Sequence, residues 1–139
     1  MARRLVVLVV FMAAAAALLA AQPKHRVVFE VSVEGEAQWH SILNNVSNLL
    51  NALGRENTQV EVVTHGKGVG LLTIRTPAFR ERLQKLSEAG VVFAACSNSI
   101  RARNLKPEEL APFAIPVDSG VAHIVRKQEL GWAYIKSGE

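Results

Sequence analysis

Short apolar runs alternate along this chain with segments whose apolar residues recur at helical spacing. Five runs read as strands: Val27 to Val31, Val60 to Val63, Val91 to Ala95, Phe113 to Val117 and Trp132 to Ile135. Between the first two, Trp39, Ile42, Leu43, Val46, Leu50 and Leu53 form the apolar face of one long helix that Gly54 ends. Thr76 and Pro77 have the form of an N-cap and first helical residue, with Phe79, Leu83 and Leu86 on one side and Gly90 as the stop. Ser97 to Asn104 predicts a short helix, and Pro107 with Glu108 a loop or helical turn. Asp118 and Ser119 cap a helix from Gly120 to Leu130, which Gly131 closes. His65 to Gly70 reads as a flexible loop or a weak helix start. Pro116 removes one ladder donor, so the fourth strand is expected to stop early or bulge there.

Strands without polar alternation are buried on both faces, and intervening helices make such a sheet mostly parallel and place it between helix layers. In open sheets of this kind a ligand site lies beyond the carboxyl ends of the strands, near the point where strand order reverses. Cys96 and His65 both fall at that edge.

The amino-terminal pattern differs from the rest. Arg3 and Arg4 precede an uncharged run, Leu5 to Ala21, which ends in small residues and meets polar Gln22. That is the layout of a signal peptide spanning residues 1–21, leaving residues 22–139 as a single domain in the periplasm or outside the cell. An uncleaved membrane anchor is the rival reading, because the 17-residue run reaches the lower limit of a spanning helix. Cleavage would remove two of the 16 basic residues and none of the 12 acidic ones, leaving a net charge of only +2. Nucleic acid as a partner therefore loses its main support.

One cysteine, Cys96, is present, and alone in an exported chain it cannot close an internal disulfide. It is buried and inert, paired with another chain, or a working thiol. At the junction of a strand and a helix, unpaired N–H groups and the helix dipole favour the thiolate. The polar Ser97-Asn98-Ser99 run suits a helix start around an anionic group, and Arg101 and Arg103 add charge, though only one of them can face the sulfur. The bland alternative is a small core residue. His65 is either a base or charge partner for the sulfur or a structural histidine.

Other patterns exclude chemistry. His25, His40 and His123 show no metal-ligand spacing with one another or with Cys96, so no zinc site is expected. Gly66, Gly68 and Gly70 fail as a dinucleotide fingerprint, since they follow the second strand and Leu71 stands where the third glycine belongs. Their expected use is to let the backbone turn close to the cysteine. Arg75, Arg80, Arg82 and Lys85 make a basic helix region, either a solvated face or a docking patch for an acidic partner.

The stretch VVFAACSNSIRARNL, the tail VDSGVAHIVRKQELGWAYIK and the segment VVTHGKGVGLL together resemble the DsrE/DsrF-like sulfur-relay family, from about Arg26 to Lys136. The resemblance implies a flavodoxin-like three-layer α/β sandwich with a five-stranded, mostly parallel sheet, assembly into homo- or hetero-oligomers, with a homo-oligomer expected here, and no cofactor. It makes Cys96 the acceptor of sulfane sulfur, held as a persulfide, with His65, Asn98, Ser119 and Gly120 as its pocket. Familiar members work in the cytoplasm, whereas this chain reads as exported, so its donors and acceptors must differ from theirs. The expected partners are a small sulfane-sulfur donor or a partner protein thiol, which would make the chain a sulfurtransferase or persulfide carrier. The alternatives are a non-catalytic oligomeric binding or assembly module with a structural cysteine, and a redox sensor that forms a sulfenic acid.

Overall fold

A computed structural model describes residues 23–74 and 77–136 of the chain. The amino-terminal run and its cleavage point lie outside them, as do Arg75 and the capping residue Thr76. Five strands form one sheet: β1 (His25–Val31), β2 (Thr58–Thr64), β3 (Val92–Cys96), β4 (Ala114–Val117) and β5 (Ala133–Lys136). Helix α1 (Glu36–Leu53) follows β1, α2 (Pro77–Glu88) precedes β3, α3 (Ser97–Ala102) follows β3, and α4 (Gly120–Glu129) joins β4 to β5. The strand order is β4-β3-β2-β1-β5, and every pairing is parallel, not merely most of them.

Side-chain alternation divides the core in two. Val27, Phe29, Val31, Val60, Val62, Phe93 and Ala95 face α1 and α2, whose buried residues include Trp39, Ile42, Leu43, Phe79 and Leu83. Trp39 meets Phe79 edge to face, with ring centroids 5.7 Å apart, and its indole N–H donates to the Val33 carbonyl at 3.0 Å. The intervening residues Val28, Val63 and Ala94 face the other way and form a smaller core with Ile124 and Trp132.

Handedness explains this division. Steps from β1 to β4 run in one direction, so right-handed crossovers keep their helices on one face; the return from β4 to β5 runs the opposite way and puts α4 on the other face. Neighbouring strands β3 and β4 therefore send their chains to opposite faces, and a crevice opens between their carboxyl ends. Cys96 is the last residue of β3 and pairs with Val117 of β4.

One local expectation changes. Pro116 neither ends nor bulges β4, which runs on to Val117 with Pro116 paired to Ala95; β4 is an edge strand, where proline is tolerated. Of the two readings of His65 to Gly70, the helix start is the one observed, as a 3₁₀ helix, Gly66–Leu72, with His65 at its N-cap. That turn packs so tightly on β1 that a β-carbon at Gly68 would overlap the Val31 carbonyl.

Candidate functional site

Cys96 occupies the N-cap position of α3, and its side chain lies on the α4 face, two residues after Ala94. Burial pushes the thiol pKa up, but more is pulling it down. The Ser99 hydroxyl and the backbone N–H groups of Gly120, Ser99 and Asn98 donate to the sulfur, and their sum holds the thiol below its ordinary 9.0. Three donors come from α3 and one from α4, so two elements converge on one atom. Cys96 is only 5 % exposed, because the first turn of α4 folds across the end of β3. It is nonetheless surrounded by hydrogen-bond donors rather than sealed among apolar groups.

Gly120 makes that cover possible. A β-carbon there would stand 2.9 Å from the β-carbon of His65 and 3.2 Å from that of Cys96. Only glycine lets α4 come this close, which brings Cys96, His65 and Gly120 together. Ser119 plays a different part: its hydroxyl caps α4, accepting from the Ala122 N–H at 3.4 Å. It shapes the site by fixing the start of the helix.

His65 follows β2 on the α4 face, and its Nε2–H donates to Glu30 Oε1 at 2.6 Å. The Tyr134 hydroxyl donates to the other oxygen of Glu30. Burial raises the Glu30 pKa, yet the hydrogen bonds from Tyr134 and His65 bring it below the ordinary 4.5. The same contact works against ionisation of Tyr134: burial, the hydrogen bond to Glu30 and the carboxylate's charge push it up to about 12. Glu30 thus fixes the imidazole by Nε2.

Asn98 contributes its backbone N–H to the sulfur, while its side-chain oxygen accepts from Arg101. Arg101 is thereby turned to Asn98, and Arg103 lies 3.8 Å from Glu34. A cavity of about 400 Å³ beside the site is lined by Gly66, Lys67, Asn98, Ser99, Ala102 and Arg103. A larger groove of about 690 Å³ lies between α2 and residues 111–113 and contains neither cysteine nor histidine. In the basic region of α2, Arg82 donates to Asn44 of α1 and Lys85 pairs with Glu81 one turn away, both at the exposed surface. Among the described residues no group of three or more His, Cys, Asp or Glu side chains could hold a metal ion.

Three residues of the site were not anticipated. Ser99 was read only as part of a polar run, yet its hydroxyl accepts the Gly66 N–H at 2.7 Å and donates to the sulfur. Glu30 and Tyr134 were missed, although a carboxylate inside the apolar run HRVVFEV was a signal that something paired with it.

The chain is 38% identical to a solved structure, that of a protein of unknown function, MTH1491, from Methanobacterium thermoautotrophicum. That likeness covers 81% of this chain and 98% of the other, with a TM-score of 0.76. No curated protein is similar enough to match. The DsrE/DsrF-like family matches residues 5–137, a span that begins inside the amino-terminal apolar run. With its all-parallel sheet and with the cysteine at the β3–β4 crevice, this chain belongs to the DsrE/DsrF-like family, which is linked to sulfur relay.

Proposed function

We propose that this protein is an exported sulfur carrier in which Cys96 accepts a sulfane sulfur, holds it as a persulfide and yields it to a partner thiol. The observation that carries this reading is the convergence of the Ser99 hydroxyl and three backbone N–H groups on the Cys96 sulfur. An inert core cysteine has no use for such donors, whereas a thiolate or a persulfide anion needs them. In the loading step the thiolate attacks the outer sulfur of thiosulfate or a polysulfide. A sulfur–sulfur bond forms on Cys96, the donor's sulfur–sulfur bond breaks, and its electron pair leaves with sulfite or the shortened polysulfide. His65, held by Glu30, would serve the proton traffic of that exchange.

Assembly into a homo-oligomer belongs to the same proposal, supported by Ile115, Val121 and Val125, which are large apolar side chains left exposed. Intact mass after incubation with thiosulfate or polysulfide tests the carrier role. The wild-type protein should gain one sulfur, and Cys96→Ser should gain none; equal masses would end the reading.

One observation favours the non-catalytic module instead, namely the 5 % exposure of Cys96. A thiol reagent separates the two, because a structural cysteine labels only after denaturation.

A further inference from the structure

A second polar cluster lies under α4, apart from the sulfur. Glu61 of β2 is 4 % exposed, and its strand neighbours, Val28 on β1 and Val92 on β3, are apolar. Its two oxygens take different partners from one helix: Oε1 meets His123 Nε2, and Oε2 meets Lys127 Nζ at 2.5 Å. Lys127 also sits over the Trp132 ring, 4.2 Å from its centroid. Burying such a cluster is a poor way to gain stability, since desolvation offsets most of the attraction, and an apolar residue at position 61 would pack as well. What the cluster adds is direction. An apolar contact lets a helix slide or roll, whereas a carboxylate gripping two side chains one turn apart allows one height and one rotation.

That constraint reaches the site through the helix itself. Gly120, His123, Ile124 and Lys127 lie on one face of α4, and Gly120 is its first residue. A hydrogen bond fails when its donor moves by about 1 Å, so the Gly120 N–H stays on the Cys96 sulfur only while α4 keeps its place. We propose that Glu61 is a positioning residue: by gripping His123 and Lys127 it sets the height and rotation of α4 and holds the Gly120 N–H against the sulfur. This deepens the reading of Cys96 as a working thiol and rests on it.

The test follows the alkylation rate of Cys96 by iodoacetamide across pH in the full chain, with no sulfur donor present. Glu61→Gln and Lys127→Met should raise the midpoint and slow alkylation about threefold or more at a fixed pH below it. Lys127→Arg, which can still reach Glu61, should keep the wild-type profile. So should Arg126→Gln, a change on the same helix that breaks the exposed pair with Asp118 just ahead of its N-cap. Amide resonances locate the effect: the Ser99 N–H, on α3, should still follow thiol ionisation in the clamp variants, and the Gly120 N–H should not. Should Glu61→Gln fail to fold, Lys127→Met decides, because it leaves the His123 contact in place. Folded clamp variants with the wild-type midpoint and an unchanged Gly120 response would overturn the proposal. Failure of the carrier role is read separately, as an unchanged mass with thiosulfate.

Discussion

Gly120 stands so close to Cys96 that a β-carbon on it would lie 3.2 Å from that of the cysteine. The first turn of α4 therefore both hides the sulfur and supplies it with a donor. Cover and the downward pull on the pKa come from the same contact, which is why a residue only 5 % exposed still has its thiol drawn below the ordinary 9.0.

Gly120→Ala is expected to push α4 away from His65 and Cys96. Crowding of this kind costs about 1–3 kcal/mol, readable as a lower urea midpoint. The thiol pKa should rise as the N–H withdraws. A variant that is destabilised but keeps the wild-type alkylation profile would show that Gly120 serves packing alone.

Ser99→Ala removes the hydroxyl that joins the Gly66 N–H to the Cys96 sulfur. The expected loss is about 0.5–1.5 kcal/mol of stability, together with a higher thiol pKa and slower alkylation near neutral pH. Equal alkylation rates in the two proteins would contradict the role given to that hydroxyl.

Tyr134 is the only tyrosine in the chain, so ultraviolet absorbance during alkaline titration reads it alone. Its midpoint should lie near 12 in the folded protein rather than at the ordinary 10.0. Glu30→Gln removes the carboxylate and should lower that midpoint. The linked stability has a definite sign. Tyr134, with a raised folded pKa, contributes stability below pH 10.0 that is lost as pH climbs through about 12. Glu30, with a depressed one, contributes stability above pH 4.5 that is lost as pH falls through its folded value, and Glu30→Gln should flatten that acid limb.

Export is tested by the amino terminus of the protein recovered from outside the cytoplasm. Sequencing should begin at Gln22; a start at Met1 would support the anchor in place of the cleaved signal.

The framework was legible because each element carries its own local signal. The Val60–Val63 run, the helical spacing from Trp39 to Leu53, and the stops at Gly90 and Gly131 need no distant partner to be read. Cys96, His65 and Gly120 were legible as neighbours because strand ends and helix starts meet at one edge of a parallel sheet. Glu30 and Glu61 were not. Glu30 finds His65 and Tyr134, and Glu61 finds His123 and Lys127, only once parallel register and the crossover of α4 bring distant parts of the chain together. The burial of Cys96 was not legible for the same reason, since nothing local to VVFAACSNS says that α4 will lie over it. Pro116 was misjudged because its tolerance depends on β4 lying at the edge of the sheet.

The most direct measurement is the rate at which native Cys96 reacts with iodoacetamide as pH is raised. Donors that hold a thiolate predict labelling of the folded protein with a midpoint below 9.0. Labelling only after denaturation, or a midpoint at or above 9.0, would contradict the account and leave Cys96 as core packing.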